Sequence, residues 1–331
     1  MAKFYAPLIV LVTVLLAVGW LVRRGSFALD YPSHRSLHEV PVPRTGGLGL
    51  HAGILIGVLI VVPDVPVSLA VAAAVLIAVS FIEDLRGIPA LWRLIFHIVS
   101  AGAFAGAVIL DADGPVVLIA ATLAIAWMAN LYNFMDGSDG LAGGMTLFGF
   151  AFYGLAAWLA GATQFSLLNF CIAAAAAAFL VYNFHPARIF MGDVGSVPLG
   201  FLAGSLGLLG ILRDYWPWWF PLLVFSPFIV DASTTLARRA LQGKRIWEPH
   251  RDHYYQRLVR LGWGHRRTAL AEYAAMGVCG TLALHALGST PGLQRSILTL
   301  VVVAYAVAIG AIEHAWRARA VRDGQGRGSR S

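Results

Sequence analysis

The chain reads as an all-α polytopic integral membrane protein, a bundle of about eleven transmembrane helices with its N-terminus outside and its C-terminus cytoplasmic. Three observations predict this. Apolar residues make up 59% of the 331 positions and charged residues only 12%, and the mean hydropathy is +0.74, outside the range of soluble globular domains. Eleven apolar runs approach the length needed to cross about 30 Å of hydrocarbon. With the first residue placed outside, alternation of the loops puts every lysine and arginine except Lys3, Arg213 and Arg295 on the cytoplasmic side, as the positive-inside rule requires.

In order, the runs fall at roughly 4–22, 48–62, 67–82, 91–110, 116–130, 142–160, 165–182, 197–212, 216–236, 268–287 and 296–315. The first is too long for a signal-peptide core and has no small-residue cleavage site before Arg23 and Arg24, so it is expected to persist as a helix. The second and third are short and separated only by Pro63, Asp64, Val65 and Pro66, which suits a tilted or partly re-entrant pair. Cys171 and Cys279 lie inside apolar runs with no partner at metal or redox spacing, and read as packing residues. The outside loops are short, and Tyr215, Trp216, Trp218 and Trp219 form an interfacial aromatic belt. Residues 1–320 are expected to form one transmembrane domain with cytoplasmic loops 23–47, 83–93, 130–143, 183–196 and 237–267, followed by a disordered basic tail, 321–331. The net charge of +7 reflects this topology and attraction to anionic lipid, and no nucleic-acid module is present. No internal repeat of the inverted-transporter kind is evident.

The unusual polar chemistry is all on the cytoplasmic side, centred on NLYNFMDGSDGLAGG, Asn130 to Gly144. It ends an apolar run, and charges are too costly at the bilayer centre to sit anywhere but its aqueous mouth. Asn130, Asn133, Asp136 and Asp139 recur every third residue, so a straight helix would fan them apart by about 60° per step. Gly137, Gly140, Gly143 and Gly144 let the backbone leave the helix, so that two or three of the four can meet. Such an oxygen-only set suits Mg²⁺ and phosphate better than Zn²⁺. A polar helix end with a glycine turn is the plainer reading of the same residues.

Four further segments carry candidate chemistry. YPSHRSLHEVPVPRTGG (31–47) brings Arg35, His38 and Arg44 next to a glycine pair that opens a helix, where phosphate can bind; ordinary cytoplasmic charge is the alternative. FIEDLRGIPALWR (81–93) ends the third span with Glu83 and Asp84, which point about 100° apart on a helix, so only one is expected to face a site. NFHPARIFMGDVGS (183–196) sets Asp193 between Gly192 and Gly195, where backbone N–H groups can gather around an anion, with Phe190 able to stack on a base. PHRDHYYQRL (249–258) offers Arg251 with His250 and His253 as a pyrophosphate clamp; the two histidines could instead bind a transition metal, although no further ligand completes a closed zinc site.

Together, NLYNFMDGSDGLAGG, RIFMGDVGS, the IED step after the third span, PVPRTGG and PHRDHYYQRL resemble the motifs of the polyprenyl-phosphate N-acetylhexosamine-1-phosphate transferases (glycosyltransferase family 4). That family includes the bacterial phospho-N-acetylmuramoyl-pentapeptide transferase and the enzymes that initiate O-antigen and enterobacterial common antigen. The likeness runs from about Arg24 to His265 with the motifs in order. It implies transfer of a sugar 1-phosphate from a UDP-N-acetyl sugar to undecaprenyl phosphate, with release of UMP, by a multi-pass enzyme of the cell inner membrane whose active site faces the cytoplasm. Mg²⁺ is the implied cofactor, with Mn²⁺ able to substitute. Membrane lipids and a homodimer are the further partners to consider.

The resemblance also implies roles. Asp193 corresponds to the Mg²⁺ ligand and Asn133 to a second group at the metal. Phe190 stands where the family stacks uracil, and Asp136 and Asp139 where it contacts nucleotide or metal. Arg93 matches a basic pyrophosphate ligand, and Arg251 and His253 begin the last cytoplasmic motif. Glu83, Asp84, Asp136, Asp139 and Asp193 are thus the catalytic candidates; Arg35, Arg44, Arg93, Asn130, Asn133, Phe190, Arg251 and His253 are the substrate-binding ones.

Two departures stand out. Glu83 replaces the first of two usual aspartates, which argues against a mechanism that needs an aspartate base there. The last motif has His253, Tyr255 and Gln256 where three histidines are common, a variant closer to the O-antigen-initiating branch, some of which use N-acetylated 6-deoxyhexosamines. The acceptor phosphate has a second pKa of about 6 by analogy with phosphorylated side chains, so it is largely ionised at neutral pH and Glu83 or Asp84 is expected to orient rather than abstract a proton. The rival from another class is an ion-coupled transporter, which would need polar groups near the midplane and on both sides.

Overall fold

The computed structural model describes the chain except Met1 and residues 26–27, 33–36, 38–39, 110–113, 246–247, 249 and 329–331, together with the side chains of Ala2, Ala320 and residues 323–328. Arg35 therefore lies outside the described residues. The fold is an all-α membrane bundle. Its helices are α1 (Ala6–Arg24), α2 (Gly46–Val61), α3 (Val67–Arg86), α4 (Ala90–Val108), α5 (Gly114–Met135), α6 (Leu141–Leu159) and α7 (Thr163–Asn183). They continue with α8 (Asp193–Leu212), α9 (Trp219–Val224), α10 (Ser226–Leu241), α11 (Tyr254–Leu258), α12 (Gly264–Leu287) and α13 (Pro291–Gly328). A two-stranded antiparallel ribbon, β1 (Leu29–Asp30) with β2 (Val42–Pro43), pairs Leu29 with Pro43 and Asp30 with Val42.

Among the described residues, nine helical stretches are long and apolar enough to cross a membrane. The other two expected crossings differ in form. The run at 48–62 is the 16-residue helix α2, and the run at 216–236 is broken at Phe225 into α9 and α10. Pro227 explains the break, because proline is tolerated in a first helical turn but not in a continuous helix interior. The α13 backbone stays helical to Gly328, into the segment expected to be a disordered tail. Its Ala and Arg residues are good helix formers until the glycines begin.

Parity shows that α2 and the α9–α10 pair are traversals of the bundle. The C-terminal ends of α3, α5 and α7 and the N-terminal ends of α4 and α8 meet in one place, through contacts of Glu83, Asn133, Asn183, Arg93 and Asp193. The N-terminus of α2 joins them, with Gly46 and Gly47 donating to the Phe190 and Met191 carbonyls at 3.0 and 2.9 Å. A chain that ends α3 at the same face where α2 begins has crossed the bundle twice. The C-terminal end of α10 and the C-terminal half of α13 close the set, since Glu313 takes Arg238, Arg257 and the Tyr254 hydroxyl.

Helix α8 is the centre of the bundle, with its first half and most of its second buried. Small residues allow this closeness: a Cβ on Gly200 would lie 2.4 Å from the Met128 carbonyl oxygen, and one on Gly207 would lie 2.6 Å from the Tyr153 hydroxyl. In lipid, close packing substitutes for a hydrophobic driving force between helices. The outer helices expose apolar faces, as at Leu8 and Leu16 of α1 or Val302 and Val307 of α13, which is what a lipid-facing surface requires. Cys171 and Cys279 are buried and form no disulfide with each other.

Candidate active site

The convergent helix ends surround a cavity of about 780 Å³. Among its lining residues is Asp193, the first residue of α8. Oδ1 accepts the Asn133 amide at 2.8 Å, and Oδ2 accepts Arg93 Nη1 at 2.9 Å. The same Arg93 nitrogen donates to Glu83 Oε1 at 3.2 Å. Asn133 also reaches Ser196 Oγ at 3.2 Å. Two spans, α4 and α5, thus place side chains on one carboxylate, and α3 joins them through Glu83 on Arg93.

Asp84 does something the sequence reading did not foresee. Its carboxylate is buried and accepts the backbone N–H of Asp193 at 3.2 Å and of Val194 at 2.9 Å. Those are the first two N–H groups of α8, so Asp84 is an N-cap supplied from a different helix. The turn at Gly192 to Gly195 does gather N–H groups around an anion, but the anion is Asp84. Gly192 is required there: its φ is +71°, and a Cβ would lie 2.3 Å from the Arg44 carbonyl oxygen and 2.8 Å from Asp84 Oδ2. Arg44 braces the other side, donating to the Asp84 backbone carbonyl and standing 3.7 Å from its Oδ1. Both acids of the IED step line the cavity, where one was expected.

The glycine pair of PVPRTGG also proves structural. The Gly46 and Gly47 N–H groups are committed to Phe190 and Met191, and a Cβ on Gly47 would lie 2.4 Å from the Gly195 nitrogen. The α2 N-terminus thus clamps the Asp193 loop and is not offered to a phosphate. Phe190, held by its own N–H on the Pro43 carbonyl at 2.7 Å, is left lining the cavity.

In the central motif the four polar residues separate. Asn133 reaches Asp193. Asp136 lines the cavity, and enclosure, with Asp193 and then Asp84 nearby, raises its carboxyl well above the ordinary value. Asn130 lines the cavity too, with its amide donating to the Ala126 carbonyl at 2.8 Å. Asp139 borders the cavity with its carboxylate already engaged, Oδ2 taking the Ala187 N–H at 3.1 Å and facing His185 Nδ1 at 2.6 Å. The rings of His185 and His265 stack at 5.3 Å beside it. Of the four glycines, Gly140 turns the backbone with a φ of +77° and Gly137 leaves room for the Tyr255 hydroxyl, 2.3 Å from where a Cβ would stand, whereas Gly143 and Gly144 lie inside α6 and serve its packing on Leu180 and Tyr273.

The last motif turns a different set of residues inward. His250, His253, Tyr255 and Gln256 line the cavity, and Arg251 is not among the lining residues. The Arg251 carbonyl instead accepts Arg260 at 3.2 Å. The His250 and His253 rings lie 4.9 Å apart, tilted by 31°, and burial followed by the neighbouring His253 and Arg239 pushes His250 down to about 4. Asp252 is held below the usual carboxylate range because Arg239 outweighs the opposing effect of burial. Tyr255 ties this loop to the central motif through the Phe134 carbonyl at 3.1 Å. Asp30, His97 and His265 line the cavity and Asp231 stands behind His253; each lies outside the motifs, and Asp231 and His97, titratable residues inside apolar runs, were the two that gave a signal.

Glu83, Asp84 and Asp193 are the one group of metal-ligating side chains found among the described residues, each offering an oxygen within 4.8 Å of the others. An all-oxygen set fits a hard divalent cation. Each Asp84 oxygen takes one backbone N–H and each Asp193 oxygen one side-chain donor, so both carboxylates keep lone pairs, and Glu83, Asp84, Asp193 and the Asn133 amide oxygen are the groups that would hold one. The cavity continues from these acids along α4 and α5 past Leu94, Ile98, Leu123 and Trp127, an apolar seam joined to a polar head.

Comparison with known proteins agrees with this arrangement. Residues 66–211 match the model of glycosyl transferase family 4. The chain is 28% identical to the probable undecaprenyl-phosphate N-acetylglucosaminyl 1-phosphate transferase of Bacillus subtilis, over 92% of this chain and 90% of that protein. These matches support the reading of the chain as a member of the polyprenyl-phosphate N-acetylhexosamine-1-phosphate transferase family. The chain is also 28% identical to the decaprenyl-phosphate N-acetylglucosaminephosphotransferase of Mycolicibacterium smegmatis, over 87% of this chain and 82% of the relative. A phospho-N-acetylmuramoyl-pentapeptide-transferase of Symbiobacterium thermophilum is 37% identical over 43% of this chain and 42% of its own length. The family match spans α3 to α8, which supply Glu83, Asp84, Arg93, Asn133, Asp136 and Asp193. The ribbon, the last motif and α13 lie outside it.

Proposed function

We propose that this protein transfers a sugar 1-phosphate from a UDP-N-acetylhexosamine, or its 6-deoxy counterpart, to undecaprenyl phosphate and releases UMP, as the first membrane step of O-antigen or another cell-envelope polysaccharide. The observation that carries the reading is the cavity itself, which joins the Asp193, Asn133, Glu83 and Arg93 cluster to an apolar seam between α4 and α5. A phosphate headed by a long hydrocarbon fits that combination. The polar groups that line the cavity belong to one end of the bundle, which favours a transferase over the transporter reading.

In the reaction, an acceptor phosphate oxygen bonds to the sugar-bearing phosphorus of the donor, and the bond from that phosphorus to the bridging oxygen breaks. The electron pair leaves with UMP. Both reactants are anions, so charge must be neutralised around them. Mg²⁺, with Mn²⁺ as substitute, would supply part of that when held by Glu83, Asp84, Asp193 and Asn133. Arg93 and Arg44, which both line the cavity, supply fixed positive charge. Phe190 offers a face for the uracil, and the seam past Leu94, Ile98 and Trp127 receives the polyprenyl chain. Asp84 holds no proton role here; it fixes the Asp193 loop.

The basic residues gathered at this end support reading it as the cytoplasmic face of the inner membrane. The deciding experiment is incubation of the purified protein with labelled undecaprenyl phosphate and a panel of UDP-sugars. Lipid-linked sugar 1-phosphate and UMP should form in equal amounts, chelation should stop both, and Mg²⁺ should restore them. Absence of UMP release across the panel, in folded protein with Mg²⁺ present, would reject the assignment. External labelling of a single cysteine at position 250, with Cys171 and Cys279 replaced, should fail in intact cells, whereas position 289 should label.

A further inference from the structure

One buried acid has no part in the reaction just described. Asp231, in α10, is 6% exposed and sits behind the last motif. Its Oδ1 faces His253 Nδ1 at 3.2 Å and accepts the Tyr254 N–H at 2.9 Å and the Thr235 hydroxyl at 3.2 Å. Its Oδ2 accepts the Tyr255 N–H at 2.9 Å. The carboxylate therefore caps α11 from another helix, as Asp84 caps α8, and at the same time abuts the imidazole that lines the cavity.

A carboxylate with backbone N–H groups on both oxygens stays an acceptor, so the ring nitrogen facing it must be the one that carries hydrogen. With Nδ1–H directed at Asp231, Nε2 becomes the ring nitrogen available to the cavity. The ring has little freedom to turn, lying between Phe134 at 6.2 Å, His250 at 4.9 Å and Tyr255 at 5.8 Å. One contact competes: the Gln256 N–H closes a capping box on the His253 side chain, which would call for an unprotonated Nδ1. A bond to a carboxylate is the stronger of the two.

We propose that Asp231 is a positioning residue for the transfer reaction, fixing His253 as the Nδ1–H tautomer so that Nε2 meets the donor or acceptor. This rests on the functional reading above. A backbone-anchored acid behind an imidazole is the device by which proteins select which ring nitrogen faces a ligand.

The test uses the full-length protein in nanodiscs, with four forms: wild type, Asp231→Asn, His253→Gln and the double variant. Asp231→Asn should lower kcat/KM about tenfold to a hundredfold, the usual range for losing such an outer partner. The double variant should be no worse than His253→Gln alone, because a residue acting only through His253 has nothing left to act on. Multiplication of the two losses would show a merely structural role and overturn the proposal. The ¹⁵N spectrum of histidine-labelled protein supplies a readout that needs neither substrate nor an Asp231 variant, with His253→Gln identifying the resonance by its disappearance. The proposal requires hydrogen on Nδ1; hydrogen on Nε2, with Nδ1 taking the Gln256 N–H, overturns it. Failure of wild-type protein to transfer any sugar phosphate would instead reject the functional reading, while the tautomer would still decide the role of Asp231.

Discussion

Asp84 accepts the backbone N–H of Val194 at 2.9 Å across 110 positions of sequence. That single contact joins the end of the third span to the start of the eighth and sets where the Asp193 carboxylate points. The paired acids of the IED step therefore divide their work, Glu83 toward the cavity cations and Asp84 toward the backbone.

Asp84→Asn should loosen the Asp193 loop more than it disturbs the rest of the bundle. An amide can accept at only one position, and its NH₂ would meet an N–H group. Leaving a buried N–H without a partner costs about 1–3 kcal/mol. Hydrogen exchange should rise selectively in the peptide containing Gly192 to Gly195, with activity falling alongside it; unchanged exchange there would remove the capping role.

Asp193→Asn and Glu83→Gln should differ in severity. Asp193 takes donors on both oxygens, whereas Glu83 shares Arg93 with it. Replacing Asp193 should cost at least about two orders of magnitude in kcat, the scale seen when a transition-state partner is removed, with the melting temperature kept. Glu83→Gln should lower turnover moderately and leave the pH profile unchanged between about 5.5 and 9, because the acceptor phosphate ionises near 6 without help. An equally complete loss in Glu83→Gln would identify that acid as a base.

Gly192→Ala should be among the most damaging small substitutions in the chain. The residue adopts a left-handed φ, and the added methyl would collide with backbone, the Arg44 carbonyl oxygen at 2.3 Å, which cannot rotate away. Loss of thermal stability and of activity together is the expected result. Gly243→Ala is the control: its φ is also positive, but nothing lies within 4 Å, so it should lose only the smaller cost of strained backbone.

The raised carboxyl of Asp136 makes a stability prediction whose sign is opposite to the usual aspartate case. A group whose folded pKa lies above its unfolded value contributes stability below the unfolded pKa and loses it as pH rises through the folded one. In chelator, Asp136→Asn should therefore melt higher than wild type at pH 8. The advantage should shrink as pH falls back through the raised value and vanish near pH 4, the ordinary carboxylate range. A difference independent of pH would show that Asp136 is charged throughout.

The bundle was legible because its determinants are local. A run of apolar residues cannot remain in water, and its backbone cannot stay unpaired in lipid, so each run is a helix whatever its neighbours do. Where local determinants conflicted, the expected form shifted: Pro227 and the turn at Phe225 divide the run at 216–236, and α2 stops at 16 residues. The identity of the cluster was legible for a similar reason, since Asn133, Asp136 and Asp193 stand in motifs whose residue types already limit their chemistry.

By itself, then, the sequence determined the helical class, the face that carries the polar loops and the residue types available there. Only the tertiary structure decided which of those residues point at a ligand and which hold the others in place. Asp139, Asp84, Gly46 and Gly47 bond to backbone of neighbouring segments, Arg251 is not among the residues that line the cavity, and Asp231 entered from an unmarked position in α10. The physical reason is that a carboxylate or an N–H group is defined by its partner. At this site the partners come from different helices, Asp84 with Val194 and Asp231 with His253, and no spacing along the chain records such a pairing.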